Sequence, residues 1–209
     1  MNSFLVANPK GGSGKSTLAT NLAGWLASQG HAVMLGDIDR QQSAREWLRL
    51  RSPALPRIQS WEVAPGRPAR PPAGTTHAVP DTPAGLHGKK LAHALRAVRR
   101  VIVPLQPSLF DILATRQFLD GLMQEKAARR QEDFVAVVGM RVDARTRAAA
   151  ELERFLADLG LPVLTLLRDT QNYVQAAAHG LTIFDLSASR AAQDWEQWQP
   201  IIDWVAAEH

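Results

Sequence analysis

The chain has 209 residues, 45% of them hydrophobic and 21% charged, which suits one α/β domain with a well-formed core. It contains no cysteine, so disulfides, thiolate zinc sites and cysteine-held iron–sulfur clusters are excluded within it. Its 24 Lys and Arg against 20 Asp and Glu give a net charge of +4, an excess that favours a polyanionic partner such as nucleic acid.

The first apolar run, Phe4-Leu5-Val6-Ala7, predicts a strand, and a helical pattern begins near Ser16. Between them lies Asn8-Pro9-Lys10-Gly11-Gly12-Ser13-Gly14-Lys15-Ser16-Thr17, a glycine-rich loop in the strand–loop–helix setting that holds phosphates. Glycines at 11, 12 and 14 let backbone N–H groups turn inward. With the positive end of the following helix, those groups form an anion cradle. Gly11, Gly12, Ser13, Gly14, Lys15, Ser16 and Thr17 are therefore the candidate nucleotide-binding residues. Lys15 is placed to reach the terminal phosphates and the Ser16 hydroxyl to complete a Mg²⁺ shell.

The helix runs through Gln29, and Gly30 stops it. A second strand, Ala32–Gly36, delivers Asp37 and Asp39. Carboxylates at the carboxyl end of a parallel strand lie where open α/β sheets bind ligands. Asp39 is the candidate to orient a water against the terminal phosphate, and Asp37 to support the metal shell. Ser43–Leu50 reads as a helix capped by Ser43, and Ile58–Val63 as a strand. The Pro- and Gly-rich stretch 64–74 forbids a helix; its Arg67 and Arg70 suit a solvated loop or a nucleic-acid contact.

Thr76–Pro80 reads as a weak strand, and Pro80 suggests an edge or bent position because it lacks a ladder donor. It ends in Asp81-Thr82-Pro83-Ala84-Gly85. Asp81 can hold a water of the Mg²⁺ shell, and Gly85 can bring a backbone N–H to a γ-phosphate and release it after hydrolysis. Further elements follow: a helix over Leu91–Val98, a strand over Val101–Leu105, and a helix capped by Ser108 running through Met123. A strand over Phe134–Met140, a helix from Thr146 to Leu159 stopped by Gly160, and a strand over Pro162–Leu167 come next. Arg168–Tyr173 opens another helix ended by Gly180. The closing helix carries Trp195, Trp198, Ile202 and Val205 at core-facing spacing.

No apolar stretch reaches the roughly 20 residues of a membrane span, and the N-terminus lacks a signal-peptide pattern, so a cytoplasmic protein is expected. The closing helix carries Asp194, Glu196, Asp203 and Glu208 and no Lys or Arg after Arg190, the wrong polar face for anionic lipid. No stable membrane association is expected.

Lys10-Gly11-Gly12-Ser13-Gly14-Lys15-Ser16-Thr17 resembles the deviant P-loop of the ParA/MinD ATPases, with Pro9 where the ordinary motif has its first glycine. Asp37-Ile38-Asp39-Arg40-Gln41 resembles that family's first switch, with Arg40 replacing a proline, and Asp81–Gly85 resembles its second. Pro104-Leu105-Gln106-Pro107-Ser108-Leu109-Phe110-Asp111 is similar to a run that lines the family's dimer contact and nucleotide rim, which places Pro107 at the nucleotide. Asp111 equally suits a first-turn acid favoured by the helix dipole.

The resemblance covers essentially the whole chain, 1–209 as one domain, and resembles the short form with no helix-turn-helix domain before the P-loop. It implies a mostly parallel twisted sheet flanked by helices on both faces, a P-loop NTPase fold. It further implies ATP/ADP and Mg²⁺, a nucleotide-dependent homodimer, Lys10 crossing to the partner's nucleotide, non-specific DNA as track and a ParB-like adaptor. Lys10, Lys15 and Asp39 are then the catalytic set. Arg145, Arg147, Arg168 and Arg190 are candidate phosphate contacts or simply solvated charges. Met140 stands where the family reads adenine with an asparagine, so ATP rests on resemblance alone. The alternatives on the same engine are a MinD-like membrane-associated positioning ATPase and a nucleotide-binding regulatory module.

Overall fold

The computed structural model describes residues 1–37, 43–61, 71–85, 88–129 and 134–207. The elements are β1 (Asn2–Val6), α1 (Lys15–Ser28), β2 (Val33–Asp37), α2 (Ser43–Leu50), β3 (Ile58–Trp61), β4 (His77–Asp81), α3 (Gly88–Arg96) and β5 (Arg100–Leu105). They continue with α4 (Leu109–Arg129), β6 (Val135–Val142), α5 (Arg147–Ala157), β7 (Val163–Arg168), α6 (Gln171–Ala177), a 3-10 turn (Ile183–Asp185) and α7 (Ala188–Ala206). The strands form one seven-stranded sheet in the order β3-β2-β4-β1-β5-β6-β7. Every neighbouring pair is parallel, so the expected mostly parallel sheet is wholly parallel among the described residues.

Parallel strands are covered on both faces and read as continuous apolar runs, which is why β5 and nearly all of β6 are buried end to end. Along β1 the side chains alternate between two cores. Phe4 and Val6 join Leu18, Leu22, Trp47, Trp198 and Ile201 from α1, α2 and α7. Leu5 and Ala7 join Leu95, Leu119, Leu122, Leu152 and Leu156 from α3, α4 and α5. The central strand is thereby clamped on both sides, and the loop that follows it has a rigid base.

Several expectations change. The stretch ending at Pro80 is neither weak nor at an edge: β4 is fully buried and lies between β2 and β1. Residues two apart on a strand face the same neighbour, and Thr82 donates to the Val6 carbonyl at 3.3 Å, so the donor missing at Pro80 faces β1. The loss falls one residue before the strand ends, where burial of β4 on both faces outweighs one ladder bond. The segment from Arg168 does not open a helix. Arg168 closes β7, and α6 starts at Gln171 after Thr170, whose side chain accepts from the Asn172 N–H. The helix after Ser108 runs to Arg129 rather than Met123. On α7 Ala191, Asp194, Trp198 and Ile201 are fully buried, with Ile202 only partly buried. Asp39, Arg67 and Arg70 lie outside the described residues.

Candidate nucleotide-binding site

The loop between β1 and α1 stands at the carboxyl edge of the sheet, flanked by the ends of β4 and β5. Gly14 is the residue before α1 and sits in the left-handed region, φ 96°. The backbone conformation therefore calls for glycine, and a Cβ there, 2.9 Å from the Met140 Cε, would push that flexible side chain aside. With no acid or side-chain cap in its first turn, α1 directs its free N–H groups into the loop.

Asn8 holds the loop from below. Buried at the end of β1, it donates from its amide to the Pro104 carbonyl at 2.7 Å and to Thr115 Oγ1 at 3.2 Å. Its Oδ1 accepts the Lys10 backbone N–H at 2.8 Å. Gln106, just past β5, donates to the Gly12 carbonyl at 2.6 Å, and Pro107 follows it directly at the rim. Gly85 donates its N–H to the Pro9 carbonyl at 2.8 Å, which ties the Asp81–Gly85 loop to the P-loop. Asn8 and Gln106 were not singled out from sequence. The signal available for Asn8 was its Asx position immediately before the motif, where a side-chain oxygen can cap a turn.

The two lysines point differently. Lys15 is buried; its Nζ donates to the Lys10 carbonyl at 2.8 Å and to Ser13 Oγ at 3.5 Å. Lys10 is more exposed, and its Nζ ion-pairs with Asp111 in the first turn of α4. That places Asp111 against the P-loop, beyond a purely helical capping role. Beside it, Leu109, Phe110 and Leu113 are exposed, Phe110 by 75%.

Ser16 and Asp81 come together: the Ser16 hydroxyl donates to Asp81 Oδ2 at 2.7 Å, with Asp81 buried. Asp37, at the end of β2, is in register with Asp81. The donor set fits Mg²⁺, since a hydroxyl and a carboxylate are hard oxygen ligands that share the ion with phosphate oxygens and water. Among the described residues no group of three or more His, Cys, Asp or Glu is arranged to hold a metal.

A cavity of about 480 Å³ opens beside the loop, lined by Gly14, Thr17, Met140, Arg141, Thr170 and Tyr173 among others. Tyr173 is partly buried and receives the Trp198 indole N–H at 2.9 Å; burial pushes its phenol above the usual range. Three of the four arginines read as phosphate contacts have other bonds. Arg168 donates to buried Asp194 at 2.6 Å, and Arg190 to Asn172 Oδ1 at 3.2 Å. Arg145 chelates Asp143 at 2.9 Å, and these hydrogen bonds hold the Asp143 carboxyl at about 2. Arg147 is exposed.

A glycine loop at the end of a central parallel strand, a lysine and serine opening the next helix, and acids on the two neighbouring strand ends define a P-loop nucleotide-binding protein. Residues 4–183 match the CobQ/CobB/MinD/ParA nucleotide binding domain, and the chain belongs to that family. It is 30% identical over 192 residues to the maintenance of carboxysome distribution protein A of Gloeobacter kilaueensis, covering 90% of this chain and 86% of that protein. Its fold is similar to that of a Cyanothece McdA variant in complex with ATP, with TM-score 0.71, 14% identity and coverage of 100% and 98% of the two chains. It is similar also to the Aquifex aeolicus MinD cell division protein, with TM-score 0.71, 17% identity and coverage of 98% and 95%. Among the described residues no helix is long and apolar enough to cross a membrane.

Proposed function

We propose that this chain is an ATP-hydrolysing positioning switch that closes as a homodimer over nucleotide and places a cargo along DNA. The observation that carries the reading is the division of labour between the two loop lysines. Lys15 lies inside its own loop, while the Lys10 ammonium stands at the rim beside an exposed apolar cluster. A rim cation paired with Asp111, on the turn of α4 that exposes Phe110 and Leu113, suits a residue that completes a second subunit's site rather than its own.

In this reading Gly11, Gly12, Ser13, Gly14 and Thr17 cradle the phosphates, with Lys15 on the terminal oxygens and Gly85 and Pro107 at the γ-phosphate rim. Ser16, Asp37 and Asp81 would hold Mg²⁺, which neutralises charge on the β- and γ-oxygens when bound. Asp39 orients the attacking water. Lys10 of one subunit neutralises charge developing in the other, so catalysis is mostly placement and electrostatics. The base occupies the cavity beside Met140 and Tyr173 by apolar contact rather than through an asparagine. An adaptor protein stimulates hydrolysis, and the protein associates with the nucleoid while ATP-bound.

The test is light scattering with Mg²⁺ and a non-hydrolysable ATP analogue, paired with phosphate release. Wild type is expected to double in mass. Lys10→Ala is expected to bind nucleotide, lose most of the dimer and lose at least 10-fold in turnover. A wild type that stays monomeric with bound analogue would discard the dimer reading.

The membrane-based alternative is less supported. Of the apolar stripe on α7 that an anchor would expose, Trp198 and Val205 are buried, and Trp195 and Ile202 are partly buried against the same core.

A further inference from the structure

The protein's positive charge is distributed unevenly. Between Asp81 and Asp111 the chain has five Lys or Arg, two His and no Asp or Glu over 29 residues. Residues 111–209, which contain all four arginines first considered for DNA, carry ten Lys or Arg against fifteen Asp or Glu. A half with more acids than bases, in which Arg145, Arg168 and Arg190 bond neighbouring side chains, is a poor surface for a polyanion. On α2, Arg49 pairs with Glu46 at 2.5 Å, and Arg51, just beyond the helix, pairs with Asp185 at 3.0 Å.

The helix at the centre of the acid-free stretch is α3, and it is two-sided. Leu91, Ala94 and Leu95, with Val98 just beyond the helix, pack into the core formed with α4 and α5. Lys89, His93 and Arg96 are exposed and spaced i, i+4 and i+7, one face of a helix. No ion pair or hydrogen bond of these three side chains is found among the described residues. The stripe from residue 89 to 96 is about 10 Å long, roughly three steps of a nucleic-acid strand.

We infer that the exposed face of α3, through Lys89 and Arg96 with His93 between them, is the surface that contacts duplex DNA phosphates. The inference rests on the positioning-switch reading above and names the face that reading leaves open. Charge complementarity selects the occupant: phosphates need cations without competing acids, and this face supplies them on a helix already packed in place. A lipid surface is disfavoured because membrane-binding helices insert apolar side chains, and those of α3 face the core. The contact carries no base readout, since two cations on phosphates fix position but not sequence.

The experiment uses full-length protein with Mg²⁺ and a non-hydrolysable ATP analogue, and follows anisotropy of a labelled random-sequence duplex across a salt series. Lys89→Ala/Arg96→Ala is expected to bind at least 10-fold more weakly, with a log–log salt slope shallower by about 2 per subunit. Arg145→Ala/Arg147→Ala is expected to stay within about 2-fold of wild type. Nucleotide binding and far-UV circular dichroism should match wild type in both, and Lys89→Gln/Arg96→Gln replaces the first variant if they do not. An α3 variant that binds DNA as wild type does, while the 145/147 variant loses binding, overturns the assignment and leaves the switch reading standing. Wild type that binds no duplex in any nucleotide state removes the DNA role itself. Loss by the α3 variant of sedimentation with phosphatidylserine vesicles, with duplex binding intact, makes the face a lipid contact instead and overturns the proposal.

Discussion

At the residue scale, the side chains that shape the site are held by partners far away in the chain. Asn8 bridges the P-loop to β5 and α4, and Lys10 meets Asp111 about a hundred residues on. Glycines and charged residues at fixed spacing in the loop are visible in a sequence, but the partners of Asn8 and Lys10 follow only from strand order. His77 shows the same dependence at the opposite end of the sheet. It lies under Phe4 and against His31, with ring centroids 4.0 Å apart in the histidine pair. Burial first, then the charges of His31 and the N-terminal amino group, lower its pKa from 6.5 to about 4. An unfolded chain takes up this proton near pH 6.5, whereas the folded chain resists it until about 4. The stability His77 contributes is therefore fully present above about pH 6.5 and is lost as pH falls towards 4, up to roughly 3 kcal/mol in all. Urea titrations at pH 7.5 and 4.5 should show a falling midpoint for wild type and a smaller fall for His77→Gln.

At the element scale, helix starts and stops were legible where a local cap decides them. The predicted helix over Ser43–Leu50 matches α2 at both ends, with Ser43 its first residue rather than a cap before it, and Thr146 caps α5 by accepting the Ala149 N–H. β4 escapes the local rule that puts proline at a sheet edge because burial on both faces sets its place. Arg168 does not open a helix because it still belongs to β7, where its guanidinium reaches Asp194 on α7. The joint between α6 and α2 gives a prediction of the same kind. Gly180 has φ 67°, and a Cβ there would lie 2.4 Å from the Arg51 backbone nitrogen. Arg51 meanwhile donates to the Gly180 carbonyl at 3.1 Å and pairs with Asp185. Gly180→Ala is therefore strained in conformation and in packing, and should cost about 2–3 kcal/mol, read as a lowered denaturant midpoint at unchanged slope.

At the scale of the whole molecule, the site sits at one pole because every described strand ends there, so a single rim carries the P-loop, both strand-end acids and the apolar cluster on α4. If that rim is where two copies meet, a charge placed in its apolar part should part them. Phe110→Asp, altering a side chain 75% exposed, is expected to leave the melting temperature within a few degrees of wild type. It should shift the analogue-bound protein to monomer in sedimentation velocity; an unchanged dimer would move the interface elsewhere. The same one-way sheet bears on how the protein is made. β1 precedes both of its neighbours, β4 and β5, so one of its edges stays open until residue 81 and the other until residue 105 has been synthesised. No hairpin can shorten that wait, because each parallel pairing must span a crossover. The base of the P-loop is therefore complete only once residue 105 has been made, and until then β1 keeps an open edge for chaperones to shield.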